Sequence, residues 1–252
     1  MTPPPGRPKA RYAPPGGSER GGPPTPPSGS EARQRPSSGG EFDLSGFIDQ
    51  TLATLRLAFT PAQRRQLVDY VGLLLRWNRV YNLTAIRDAA GIARLHIADC
   101  LAATAPIAGS RPQRLLDVGS GAGLPGLILA IALPEAQVHL VDTVQKKCAF
   151  LQQAAATLGL RNVTVHHARV ESLDPGLGFD CITSRALSSL GDLVAASVHL
   201  IAPGGVWCAM KGQVPDREIG ALPRGYGSRV QPLAVPGLDA ERCLVWIRPP
   251  AQ

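Results

Sequence analysis

The chain has 252 residues, 44% of them apolar, a net charge of +7 and few aromatic side chains. This suffices for one full-size core plus an appendage, while the longest apolar run, Leu127 to Leu133, is far too short to span a bilayer. Five scattered cysteines (Cys100, Cys148, Cys181, Cys208, Cys243), odd in number and without a C-x-x-C pair, point to reduced thiols in a cytoplasmic protein with no metal site.

Residues 1–41 hold eleven of the 24 prolines and eight of the 27 glycines, with no Leu, Ile, Val or Phe. Such a segment buries too little surface to offset its ordering entropy, which predicts a disordered tail over 1–42. It has no apolar h-region and carries Glu19, Glu31 and Glu41, so it fits neither a signal peptide nor an acid-poor transit peptide. Six basic and three acidic side chains lie in 1–42, leaving +4 for the rest. That moderate excess is compatible with a nucleic-acid partner.

A helical layer is expected over 43–112. Thr60-Pro61-Ala62-Gln63 reads as a capping box with proline at the first helical position, followed by Leu67, Tyr70, Val71, Leu74 and Trp77 at helical spacing. This predicts a helix over 61–80, a shorter one near 44–57, and another from Ala89 to Ala103 behind an Asp88 cap. From Gln113 to the end, strand and helix patterns alternate, the mark of an α/β fold built on a mostly parallel sheet. Strands are expected near 114–118, 138–142, 163–167, 179–184 and 205–210, and helices near 125–132, 145–158 and 189–201. Cys243 to Ile247 should add an edge or hairpin strand.

The most informative run is Leu115-Leu116-Asp117-Val118-Gly119-Ser120-Gly121-Ala122-Gly123, an apolar strand entering a glycine turn. Glycine lets backbone pass close under a bulky ligand, and the next helix offers unpaired N–H groups. Asp142 ends the next apolar strand 23 residues after Gly119, where a carboxylate can accept from ribose hydroxyls. The set suggests an adenosine cofactor. Gly121-x-Gly123-x-x-Gly126 also satisfies the dinucleotide fingerprint. Asp117 favours S-adenosylmethionine, whose ammonium and sulfonium would welcome the carboxylate that a pyrophosphate would avoid. In an open parallel sheet Gly119, Asp142, the loop at 168–171 and Arg185 should converge on one crevice at the strand ends.

The chain lacks Asn/Asp-Pro-Pro-aromatic after the fourth strand, where Ser184-Arg185-Ala186-Leu187 stands, and lacks a Pro-Cys nucleophile. Cys181 lies within an apolar strand and reads as a small core residue. His166 and His167 should point to opposite faces of a strand, and no histidine is assigned a role. An acceptor needing neither covalent help nor a strong base remains, such as N7 of guanine, for which alignment is the main catalytic requirement.

Trp77 to Thr84, His96-Ile97-Ala98-Asp99, Asp117 to Gly126, Ser184-Arg185-Ala186 and Lys211-Gly212-Gln213 together resemble the RsmG family (glucose-inhibited division protein B), bacterial 16S rRNA (guanine-N7) methyltransferases. The resemblance covers about 44–248. It implies a class I, Rossmann-like, S-adenosylmethionine-dependent methyltransferase acting on the decoding-region hairpin of the small ribosomal subunit. By position it implies cofactor contacts from Gly119, Leu124, Val170, Glu171 and Arg185, to which the glycine turn and strand-end chemistry add Gly121 and Asp142. Arg169, Arg185 and Lys211 are expected near the target nucleotide, Arg185 and Lys211 as positioning groups, with Lys146, Lys147, Arg79 and Arg87 as phosphate contacts. Leu95 and Cys100 depart from the family's usual Arg and Ser. A dinucleotide oxidoreductase and a non-catalytic RNA-binding module are the competing readings; nothing in the sequence demands a partner chain.

Overall fold

The computed structural model describes residues 42–174, 176, 178–185 and 189–250; of the tail expected over 1–42 all but Phe42 lies outside them, as does Ala186. Helix α1 (Leu44–Thr54) is capped by Asp43, whose carboxylate accepts from the Gly46 N–H at 2.9 Å. Helix α2 (Pro61–Tyr81) opens with the expected capping box. Thr60 Oγ1 accepts from the Gln63 N–H at 3.2 Å, and Gln63 Oε1 accepts from the Thr60 N–H at 2.8 Å. Its stripe of Leu67, Tyr70, Val71 and Leu74 is fully buried, as the spacing predicts.

The helix expected over 89–103 runs further and contains an irregularity. Helix α3 (Ala89–Ile92), a π-helical turn (Ala93–Ile97) and α4 (Ala98–Gly109) follow one another without a break. Pro106 lies inside α4. Proline and its disfavoured preceding residue argue for an earlier stop, but burial of Leu101, Ala103, Thr104 and Ile107 carries the helix on.

Strands β1 (Arg114–Val118), β2 (Gln137–Asp142), β3 (Val163–His167), β4 (Phe179–Ser184), β5 (Ile201–Lys211), β6 (Gly227–Pro232) and β7 (Cys243–Arg248) form one sheet in the order β3-β2-β1-β4-β5-β7-β6. The first five are parallel, and β7 runs antiparallel between β5 and β6. Of the two alternatives for Cys243 to Ile247, the structure shows the hairpin strand: β7 pairs with β6 and is interior to the sheet. The edge belongs to β6, which the sequence reading missed because Gly-Ser-Arg-Val-Gln-Pro is mostly exposed and shows no apolar alternation. Strand β5 also starts four residues early, at Ile201, its register with β4 shifting between the Phe179 and Cys181 pairs.

Helices α5 (Gly126–Ala132) and α6 (Gln145–Leu158) connect β1–β2 and β2–β3; α7 (Leu190–Ser197) precedes a 3-10 turn, and the short α8 (Asp216–Gly220) follows β5. Side-chain alternation separates two cores. Leu115, Val138, Leu140, Cys208 and Leu244 face the helices α2, α4, α5 and α6, whereas Leu116, Val141, Phe179, Ile182, Trp207 and Val245 pack with Leu190, Leu193 and Val194 of α7. Each fully buried aliphatic or aromatic side chain contributes roughly 1.5–3 kcal/mol of burial energy. The polar ends of the two largest buried aromatic side chains are partnered: Tyr70 OH donates to Ala122 O at 2.6 Å and Trp207 Nε1 to Ser197 Oγ at 2.9 Å. Cys181 is a core residue as expected, its Sγ 3.1 Å from that of Cys208. Among the described residues no helix is long and apolar enough to cross a membrane.

Candidate functional site

Two cavities open at the carboxyl ends of the parallel strands, on either side of the β1/β4 switch point. The first, about 720 Å³, is lined by Val118, Gly119, Asp142, Lys147 and the loop Ala168–Glu171, with Asp192, Ala195 and Ala196 opposite. Gly119, Gly121 and Gly123 all have positive φ (69°, 56° and 84°), a conformation costly for residues with a Cβ. Asp142 holds this turn in place: Oδ2 accepts from the Gly121 N–H at 3.0 Å and Oδ1 from the Val144 N–H at 2.9 Å. The Gly119 and Ser120 N–H groups both donate to Val141 O, at 2.9 and 3.1 Å.

Asp117 does not meet the first cavity as its charge suggested. Along β1 its side chain points to the helical face, like Leu115, whereas Val118 opens to the cavity. It is completely buried, Oδ2 accepting from the Gly126 N–H at 3.1 Å and Oδ1 having no hydrogen-bond partner among the described residues. Burial pushes its pKa up to about 7, against the opposing pull of the Gly126 N–H. The carboxyl group is thus a brace beneath the turn, at the first residue of α5.

The second cavity, about 420 Å³, is lined by Leu95, His96, Asp99, Arg185, Met210, Lys211, Gly212, Leu233, Arg242 and Cys243. Asp99, nearly buried, lies between two guanidinium groups, with Oδ2 3.5 Å from Arg185 Nη1 and Oδ1 3.2 Å from Arg242 Nε. Burial raises its pKa while both arginines oppose the rise. Arg185 Nη1 also lies 3.1 Å from His96 Nδ1. A guanidinium only donates, whereas Leu95 O, 3.0 Å from the same Nδ1, only accepts, and Nε2 lies 2.8 Å from Thr84 Oγ1. Burial, reinforced by Arg185, lowers the His96 pKa to about 4. Thr84 is held in turn by Asn78, whose Oδ1 accepts from the Thr84 N–H at 2.9 Å and whose Nδ2 donates to Ile86 O at 2.8 Å. Lys211 Nζ contacts Glu218 Oε2 at 2.8 Å, and the same oxygen accepts from the Leu190 N–H.

The expected convergence on one crevice is therefore divided. Gly119, Asp142, Arg169, Val170 and Glu171 line the first cavity, and Arg185 and Lys211 line the second. Gly121 and Leu124 are in the turn but do not line the first cavity. Lys147, expected at an RNA phosphate, lines the first cavity 3.7 Å from Asp142 Oδ2. Lys146, Arg79 and Arg87 are exposed, Arg87 bonded to Asn82 at 2.7 Å, and Arg169 pairs with Glu171 at 3.5 Å. Sequence reasoning gave no role to His96, Asp99 or Arg242. The i, i+3 spacing of His96 and Asp99 was a readable sign of a shared helix face. Arg242 lies just before β7 with no local pattern to mark it.

Comparison with known proteins agrees with this geometry. Residues 63–245 match the family model GidB, described as rRNA small subunit methyltransferase G. Similar relatives include the ribosomal RNA small subunit methyltransferase G proteins of Methylibium petroleiphilum (50% identity, 81% of this chain and 94% of the relative) and Leptothrix cholodnii (53% identity, 75% and 88%). Among solved structures, a putative O-methyltransferase from Klebsiella pneumoniae has the same fold, with a TM-score of 0.53 at 14% identity over 82% of this chain and 98% of that one. With a family model spanning well over half of its length and relatives at half identity, the chain belongs to the small-subunit rRNA methyltransferase G family of S-adenosylmethionine-dependent enzymes.

Proposed function

We propose that the chain methylates N7 of a guanine in the decoding-region hairpin of 16S rRNA, acting in the cytoplasm as a monomer. The observation that carries this reading is the pair of cavities flanking the β1/β4 switch point: a glycine-turn cavity with an acidic strand end beside a basic cavity ringed by Arg185, Arg242 and Lys211. The ends of β1 and β4 are neighbours in the sheet, about 4.8 Å apart, so a ligand in one cavity can reach a ligand in the other.

The first cavity suits S-adenosylmethionine, which supplies an electrophilic methyl group. Gly119 offers close backbone approach, Asp142 retains acceptor capacity for ribose hydroxyls, and Val170 and Glu171 line the space, while Gly121 and Leu124 shape the turn behind it and Arg185 stands across the switch point in the second cavity. In the second cavity Arg185 and Lys211 orient the nucleotide, O6 and phosphate oxygens being matched to guanidinium and ammonium donors. Arg169 and Lys147 at the cavity wall, with Lys146, Arg79 and Arg87 outside, contribute charge for phosphates. The N7 lone pair needs no general base, because its alkylation leaves a cationic purine without a proton to remove. The residues' task is alignment, which can supply roughly 7–11 kcal/mol of barrier lowering.

The test is transfer of a tritiated methyl group to small ribosomal subunits lacking the modification, with the labelled base mapped as 7-methylguanine. Label at one guanine of the decoding-region hairpin is the expected result. Bound cofactor without transfer to the subunit or its RNA would overturn the reading.

A further inference from the structure

A third cavity, about 630 Å³, opens between α4 and the β6/β7 hairpin, away from both strand-end cavities. Its walls include Ser110, Ser228, Arg229, Gln231, Trp246 and Arg248, and no acidic side chain among the described residues lines it. The Arg229 guanidinium lies over the Trp246 ring, 5.8 Å from its centroid. Gln231 Oε1 fixes both groups, accepting from Trp246 Nε1 at 3.1 Å and from Arg229 Nη2 at 3.3 Å. The result is a preset flat cation on an indole, with its outer face exposed, a surface on which a base can stack. Arg248 is exposed at the same wall and makes no ion pair among the described residues.

We propose that this groove is a second RNA subsite, taking single-stranded nucleotides that flank the target guanine. The proposal rests on the reading of the second cavity as the target-nucleotide site. Strand β6 connects the two: Arg229 and Gln231 line the groove, and Leu233, just past the end of the same strand, lines the target cavity. Four residues of extended chain place Arg229 about 13 Å from Leu233, a span that a few nucleotides bridge. Stacking on Arg229 is indifferent to base identity, while Arg248 and the Ser228 hydroxyl meet phosphate and ribose oxygens, and Ser110 Oγ, whose proton goes to Ile107 O at 2.7 Å, is left to accept from a ribose hydroxyl. The subsite therefore supplies affinity and register, and the target cavity supplies the choice of base.

The experiment uses the full chain and small ribosomal subunits lacking the modification. Arg248→Glu alone and Arg229→Glu/Arg248→Glu together are assayed for methyl transfer, with cofactor binding measured in parallel. Both arginines are exposed, and Arg248→Glu disturbs no side-chain hydrogen bond or ion pair among the described residues, so it stands if the double variant fails to fold. The expected result is a KM for subunits raised about tenfold or more, with kcat and cofactor Kd retained. The dependence of log KM on log salt should flatten by about one unit for each phosphate no longer engaged. An unchanged KM overturns the proposal. A photo-crosslinking amino acid in place of Ser228 reads the occupant directly: a crosslink to RNA is expected, and crosslinks to ribosomal protein alone overturn the subsite. A wild-type chain that binds cofactor yet methylates no subunit counts against the guanine reading, while the Ser228 crosslink still reports on the groove.

Discussion

Among individual residues, Asp142 and His96 act through the groups they hold. Replacing Asp142 by Ala leaves the Gly121 and Val144 N–H groups without their acceptor, a loss of roughly 1–3 kcal/mol for a partly buried site. Cofactor Kd, measured by equilibrium dialysis, should rise on the order of tenfold to a hundredfold. His96→Ala removes the ring that abuts Arg185 Nη1 and leaves Asp99 as the guanidinium's side-chain partner among the described residues. Under the proposed role of Arg185 in positioning the nucleotide, misplacement by about 1 Å costs on the order of a hundredfold in rate, so kcat should fall by one to two orders of magnitude while cofactor Kd holds. His96→Asn, which keeps a polar group near the Nδ1 position, should recover part of the loss, and His96→Ala should cost little more in an Arg185→Ala background. Asp142 was legible in the sequence because strand-end carboxylates have one characteristic place. His96 was not, because its importance comes from Arg185, 89 positions away.

Helices and turns show how little room the site leaves for variation. A Cβ on Gly126 would collide with Leu140 Cδ2 and stand 2.7 Å from Asp117 Oδ2. Gly126→Ala should therefore destabilise the fold by about 1–3 kcal/mol through overpacking, read as a lowered urea midpoint. Gly72, within α2, has only the far end of Arg76 at 3.8 Å, and Gly72→Ala should stabilise by about 0.5–1 kcal/mol. The sequence marked Gly126 as the last glycine of a fingerprint and Gly72 not at all; the close approach of β1 and β2 to α5 is what makes the first intolerant of a side chain. The π turn at Ala93–Ile97 is a further element without a sequence signature. Such turns often mark functional sites, and this one brings Leu95 and His96, together with Asp99 of the next turn, to the cavity wall.

Across the folded chain, buried titratable groups set opposing pH dependences. His96 and His139 are held at about 4, below the ordinary histidine value of 6.5, so the unfolded chain binds more protons than the folded one between those values. Stability from them is lost as pH falls from about 6.5 to 4. Asp117, raised to about 7 from 3.8, works in the other direction: the folded chain keeps a proton that the unfolded chain loses, and stability falls as pH rises through the same window. Asp117→Asn removes the second contribution. The fall in urea midpoint from pH 7 to pH 5 should therefore be larger in this variant than in the wild type; an equal or smaller fall would contradict the assignment of Asp117 as a largely protonated brace.

Read alone, the amino-acid order specified the elements whose physics is local: the Thr60 capping box, the α2 stripe, the apolar parallel strands and the glycine turn, all written in side-chain period, cap chemistry and backbone freedom. It also carried the family, through five short blocks that are not neighbours in the chain. The inward turn of Asp117 became visible only in the folded molecule, because strand parity and packing against α5 settle which face a buried carboxyl group meets. Strand β6 and Arg242 likewise emerged only in three dimensions. An exposed edge strand needs no apolar code, and an arginine on a loop takes its meaning from the buried Asp99 that the fold places beside it.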